Sequence, residues 1–201
     1  MKRRICIFCG SSPGARPSYV GAATSLARDL VARKISIVYG GGNAGLMGAL
    51  ADAALEAGGE VIGIIPRSLV EKEVAHQGLS DLRVVGSMHE RKALMAELSD
   101  AFIALPGGYG TFEEFCEVLT WTQLGLQRKP CGILNVEGYY DHLLDLFDHA
   151  VTEQFLKPVH RSMVICSGST AAHSEISLIS PTPPWTSRWM VTGDFPKASL
   201  T

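Results

Sequence analysis

Short apolar runs alternate with helical patterns from Ile5 to Cys166, and this alternation restricts the fold more than any other feature. Ile5–Phe8 reads as a first strand and Tyr19–Arg33 as an amphipathic helix, with Ala22, Leu26 and Leu30 at helical spacing. The pattern predicts further strands at Ile35–Tyr39, Val61–Ile65, Leu82–Val85, Ala101–Leu105, Gly132–Val136 and Met163–Cys166. Between them it predicts helices at Leu46–Ala57, His89–Leu98, Thr111–Leu124 and Tyr139–Phe155. Nearly continuous apolar strands separated by helices mean a parallel sheet covered on both faces. The fold class is therefore α/β, a Rossmann-like doubly wound sheet. Its Gly-rich turns follow strands, at the carboxyl edge where such sheets bind ligands.

The strand-and-helix pattern assigns residues 1–166 to one domain. Ser167–Thr201 differs: 12 of its 35 residues are Ser or Thr and 4 are Pro, so it reads as a mobile tail. A net charge of -2 argues against a nucleic-acid binder. No apolar run approaches the roughly 20 residues of a membrane span. The start, Met1–Gly10, runs directly into a strand and does not read as a signal peptide. Five cysteines at scattered positions suit a reduced, cytoplasmic protein.

Three motifs carry chemistry. Pro106-Gly107-Gly108-Tyr109-Gly110-Thr111-Phe112-Glu113-Glu114 follows a strand and opens a helix. Glycines at Gly107, Gly108 and Gly110 let a ligand approach the backbone, and free N–H groups at a helix start attract an anion. The plainer reading is a strand–helix turn with a Thr111-x-x-Glu114 capping box. The second motif, Gly40–Gly48, contains G-x-G-x-x-G, but no acid ends the next strand, so Gly41 and Gly42 read as a second wall of a mononucleotide pocket rather than a dinucleotide site. For Gly45 and Gly48, tight helix–strand packing is an equal reading. The third is Ser87-Met88-His89-Glu90-Arg91-Lys92, in which a Ser87-x-x-Glu90 capping box sets two cations near a helix start. Such cations oppose the helix dipole unless an anion lies nearby; otherwise they are a solvated surface pair, and Arg91 is expected outside the core.

Other signals fail. Cys6 and Cys9 are three apart on a strand and face opposite sides, so they read as structural. His142 and His149 share a charged helix without zinc spacing, so no metal is expected. Lys72, Lys92 and Lys129 lack a pyridoxal-type setting, so amino-acid decarboxylation is rejected and no organic cofactor is expected.

The motif Pro106–Glu114 resembles the PGGxGTxxE signature of the LOG ("Lonely guy") family. So do Phe8–Ser12, Tyr39–Gly48, Met88–Lys92 and Trp121–Gly125, in family order. Members are cytokinin riboside 5′-monophosphate phosphoribohydrolases, long labelled lysine decarboxylases. The resemblance implies a homodimer that cleaves the N-glycosidic bond of a nucleoside 5′-monophosphate, giving a free base and ribose 5-phosphate. It sets the catalytic pair on Arg91 and Glu114. It sets nucleotide-binding positions on Glu73, Arg91, Lys92, Gly108, Tyr109, Gly110, Thr111, Phe112, Glu113, Glu114 and Gln123. The alternative is a non-catalytic carrier of a nucleotide or molybdenum cofactor on the same fold. After Cys166 the chain departs from the family, whose members continue into a last apolar helix.

Overall fold

The computed structural model describes residues 3–70 and 75–167. Among them, seven parallel strands form one sheet: β1 (Arg4–Phe8), β2 (Ser36–Tyr39), β3 (Val61–Pro66), β4 (Asp81–Val85), β5 (Ala101–Ala104), β6 (Cys131–Leu134) and β7 (Val164–Ser167). Their order is β4-β3-β2-β1-β5-β6-β7. The direction of winding reverses between β1 and β5, so the crevice at their carboxyl ends is the switch point where doubly wound sheets bind ligands.

The helices are α1 (Pro17–Ala32), α2 (Gly45–Glu56), α3 (Arg67–Val70), α4 (Met88–Leu98), α5 (Tyr109–Gln123), α6 (Asp141–Thr152) and α7 (Pro158–Arg161). Alternation along the strands builds a core on each face. Ile5, Ile7 and Cys9 pack with Leu26, Leu30, Leu46 and Leu50 of α1 and α2. Cys6 and Phe8 point the other way, toward Met95 of α4 and Phe115 and Val118 of α5. The two cysteines thus face opposite cores, as their spacing implies. Small residues line the contact of α1 with α2 (Ala22, Ala23, Ala27, Ala51, Ala54), which lets these helices approach closely. No helix among the described residues is long and apolar enough to cross a membrane.

The order of the strands and main helices agrees with the sequence pattern; the differences are two short added helices and shifted element ends. Pro17 occupies the first turn of α1, which begins two residues before the expected Tyr19 because proline's fixed φ suits that position. The short helices α3 and α7 were not expected; at four residues each, neither shows a periodic face. The expected strand Gly132–Val136 and helix Tyr139–Phe155 give way to β6, a turn at Asn135–Tyr140, and α6. In that turn Val136–Gly138 is a short 3-10 helix, with Glu137 at φ 54° and Gly138 at φ 71°. The tail beyond Ser167 lies outside the described residues.

Asn135 organises this turn. Its side-chain oxygen accepts the Tyr140 N–H at 2.7 Å, and its amide donates to Asp141 Oδ1 at 2.6 Å. Asn135→Ala should lower stability by about 1 kcal/mol, as for a lost helix cap, measured by urea unfolding. Asn135→Asp keeps the acceptor but sets a carboxylate against Asp141, so it should recover little of that loss.

Candidate functional site

The loops after β1 and β5 are fastened backbone to backbone. Leu105 N–H donates to Phe8 O at 2.9 Å, and Gly10 N–H donates to Pro106 O at 3.0 Å. A Cβ on Gly10 would lie 3.2 Å from Gly107 Cα, so the two chains pass in contact. Gly10 O in turn accepts the Leu46 and Met47 N–H groups, at 3.0 and 3.4 Å. The amino end of α2 is therefore filled by the protein's own backbone. Gly45, at φ 59°, would drive a Cβ to 2.4 Å from the Ser11 and Ser12 backbone. A Cβ on Gly48 would come equally close to Asn43 O. Both glycines are thus tightly packed, against the loop after β1 and against the turn before α2.

The amino end of α5 is different. Gly108 is its N-cap, without a side-chain cap, and the first helical bond runs from Phe112 N–H to Gly108 O at 3.1 Å. The N–H groups of Tyr109, Gly110 and Thr111 precede that bond and have no intrahelical acceptor. Thr111 is thus the third helical residue and not a cap; the Thr111–Glu114 capping box of the plainer reading does not form, because the helix begins at Tyr109. Thr111 is buried, and a Cβ on Gly107 would lie 2.1 Å from its hydroxyl, so the close turn depends on Gly107. Tyr109 is exposed, and Glu114, three residues beyond Thr111 on the same helical face, is buried.

Arg91 comes to this place from α4. The expected cap exists: Ser87 Oγ accepts the Glu90 N–H at 3.1 Å, while the Glu90 carboxylate takes the Gly86 N–H at 2.7 Å. Contrary to expectation, Arg91 is only 6% exposed, for the helix turns it inward across the end of β2. Its Nη2 donates to Gly40 O at 3.2 Å, and Nη1 meets Met88 Sδ at 3.7 Å. Its Nε is buried with no hydrogen-bond partner among the described residues. A Cβ on residue 40 would lie 1.9 Å from Nη2, so only glycine leaves room for the guanidinium. Arg91 and Glu114 both act electrostatically on Cys6 of β1 and on Cys9 just beyond it. Burial, then the Glu114 charge, push up the thiols of Cys6 and Cys9, while Arg91 pulls both down.

The other expected residues sort by location. Lys92 Nζ bonds Glu113 and, at 3.1 Å, Glu117, tying α4 to α5. Burial alone would lower the Lys92 ammonium, but these two carboxylates outweigh it and hold it above its ordinary value. Phe112 packs on Tyr139 and Tyr140. Gly41 O accepts the His76 N–H at 3.1 Å, and Gly42 bridges Ala75, so both glycines anchor the segment that follows residues 71–74. His76 fixes it further: Nε2 meets Asp52 Oδ1 at 2.9 Å, and Nδ1 accepts the Gly78 N–H at 3.1 Å. Glu73 lies outside the described residues. Gln123 ends α5, about 20 Å along the helix from Tyr109. There it lines an apolar groove with Cys116, Leu119 and Phe155, and this chain does not bring it to the turn.

Sequence reading missed two contributors, Tyr139 and Tyr140, and placed Gly10 and Gly40 in motifs without their partners. Gly10 and Gly40 matter through contacts across the fold. Tyr139 donates its hydroxyl to Gly107 O, and Tyr140 donates to Leu105 O at 2.6 Å. The available signal was two adjacent tyrosines just beyond a strand's carboxyl end, since a buried tyrosine hydroxyl seeks a partner.

The fold and this turn define a Rossmann-type protein with an uncapped helix start at its switch point. Comparison with known proteins narrows the class. A family model described as "Possible lysine decarboxylase" matches residues 47–175. A rice (Oryza sativa subsp. japonica) relative, "Probable cytokinin riboside 5'-monophosphate phosphoribohydrolase LOGL9", is 57% identical over 163 residues, covering 81% of this chain and 72% of that protein. The Arabidopsis thaliana cytokinin riboside 5'-monophosphate phosphoribohydrolase LOG5 is 54% identical over the same length and the same shares. The solved Moco carrier protein of Chlamydomonas reinhardtii superposes with a TM-score of 0.66 at 18% identity, over 89% of this chain and 98% of that one. The molybdenum cofactor binding protein of Rippkaea orientalis gives 0.65 at 24% identity, over 88% and 95%. These two likenesses show the fold alone. The chain belongs to the LOG family, whose curated members carry the phosphoribohydrolase name.

Gly40→Ala should displace the Arg91 guanidinium and lower stability by about 1–3 kcal/mol, the usual range for overpacking, measured by chemical unfolding. A change under about 0.5 kcal/mol would show that the guanidinium can move aside freely.

Proposed function

We infer that this chain is a phosphoribohydrolase that cleaves the N-glycosidic bond of cytokinin riboside 5′-monophosphates. The observation that carries this is the identity above 50%, over four-fifths of the chain, to relatives named for that reaction. The substrate phosphate sits on the N–H groups of Gly108, Tyr109, Gly110 and Thr111, with the Thr111 hydroxyl. Breaking the bond between C1′ and the base nitrogen leaves positive charge on the ribose. The Glu114 carboxylate stabilises that charge and receives a proton from the attacking water. The water oxygen bonds to C1′, and the departing base leaves with the bonding electron pair and takes up the proton that Glu114 received from the water. Arg91 holds the nucleotide and orients Glu114.

The same reading includes AMP as a substrate, a homodimer and the cytoplasm as compartment. Exposed Leu124, Leu126 and Phe155 support a second copy of the chain, and five free cysteines support a reducing compartment. The carrier reading has only the fold in its favour, whereas the buried Arg91 and Glu114, both acting on Cys6 and Cys9, suit catalysis.

The direct assay is release of adenine from AMP and of isopentenyladenine from its riboside monophosphate. A folded protein that releases base from no nucleoside monophosphate would overturn the enzyme reading. Glu114→Gln should keep the fold, being nearly isosteric, and lose on the order of 100-fold in kcat. Near-normal kcat would remove Glu114 from the mechanism.

Arg91→Lys keeps the charge but loses the planar fork of donors, so kcat/KM should fall on the order of 10-fold or more. Because the bond to Gly40 O is buried, this variant should also lose about 1 kcal/mol of stability. Full activity would reduce Arg91 to a source of charge that Lys92 already supplies.

A further inference from the structure

An anion site made of backbone N–H groups works only if the neighbouring carbonyl oxygens point elsewhere, because an inward carbonyl repels the anion as strongly as an N–H attracts it. Three consecutive carbonyls enter the α5 turn, and each is held by a donor from outside it. Leu105 O takes the Tyr140 hydroxyl, Pro106 O takes the Gly10 N–H, and Gly107 O takes the Tyr139 hydroxyl. The last bond matters most. Gly107 O and Gly108 N–H belong to one trans peptide unit, so they point in opposite directions. Fixing the carbonyl on Tyr139 therefore fixes the direction of the Gly108 N–H. Glycine lies on both sides of this peptide, so the local chain does little to hold its plane.

Tyr139 is itself well placed to serve as a clamp. Its ring meets Tyr19 of α1 edge-on at 5.8 Å and Tyr140 edge-on at 5.1 Å, and it stacks on Phe112 of α5 at 6.4 Å. The Asn135 turn presents it from the end of β6. Yet the residue is 37% exposed, so its hydroxyl is not required to fill the core. Tyr140, buried at 1% exposure, is the structural member of the pair.

We propose that Tyr139 is a positioning residue for phosphate recognition, its hydroxyl holding the Gly107 carbonyl outward so that the Gly108 N–H faces the anion. The proposal rests on the reading that the α5 turn holds the substrate phosphate. It extends that site to a residue of the turn that follows β6.

The test is binding of inorganic phosphate, ribose 5-phosphate and adenine to the whole chain by calorimetry, with wild type, Tyr139→Phe and Tyr139→Leu. Tyr139→Phe removes one oxygen and keeps the ring contacts. Its Kd for inorganic phosphate and for ribose 5-phosphate should rise about tenfold, the scale of one hydrogen bond at a charged ligand, while the Kd for adenine stays unchanged. Its melting temperature should stay within a few degrees of wild type. With AMP, the rise should fall on KM more than on kcat, as for an interaction lost equally from ground and transition states. Three results overturn the proposal: unchanged phosphate affinity in Tyr139→Phe, a loss confined to Tyr139→Leu, or equal weakening of adenine and both phosphates. A wild-type chain that binds neither phosphate overturns it as well. If wild type binds them but hydrolyses no nucleotide, the enzyme reading fails, and the two variants still decide the role of Tyr139.

Discussion

The backbone tie between the loops after β1 and β5 is the constraint on which the site depends. Gly10 gives its N–H to Pro106 and its carbonyl to the first N–H groups of α2. One residue thereby sets the entry of the β5 turn and closes the amino end of a neighbouring helix. Two Gly-rich turns of similar composition then acquire opposite roles. The turn before α2 is a packing joint, sealed by Gly10, Ser11 and Ser12. The turn before α5 keeps its N–H groups available. Composition alone could not separate them, since what differs is whether a third loop reaches the helix end.

Much of the architecture was legible in advance because parallel strands buried on both faces read as short apolar runs. Ile5–Phe8, Ser36–Tyr39 and Ala101–Ala104 are of this kind, and their alternation also assigned Cys6 and Cys9 to opposite cores. Errors gathered where backbone geometry outweighed side-chain pattern. The α5 helix starts two residues before Thr111 because the Gly108–Gly110 stretch adopts helical geometry from Tyr109 onward. Tyr139 and Tyr140 have the apolar look of helix residues, yet the Asn135 turn makes them donors to carbonyls of the turn that follows β5. The burial of Arg91 was hidden for another reason. It depends on the missing side chain of Gly40, 51 residues away, and no local signal connects the two.

The label attached to the matching family model points toward amino-acid decarboxylation, a reaction that normally requires an electron sink held by a lysine. Lys92, a candidate on the site's own helix, is engaged by Glu113 and Glu117, and its ammonium is held above its ordinary value. A lysine poised for Schiff-base chemistry needs the opposite shift. The surroundings of Lys92 thus tell against its use in decarboxylation, and the named relatives carry the name of a phosphoribohydrolase.

The buried Arg91 Nε carries a consequence for handling the protein. The guanidinium is buried and its Nε has no hydrogen-bond partner among the described residues, an arrangement that costs free energy. An anion that answers that donor binds the folded chain and not the unfolded one, so it draws the folding equilibrium toward the native state. Resistance to heat then becomes a readout of occupancy. A panel of phosphorylated compounds can be ranked by the temperature at which the chain unfolds, before any turnover is measured.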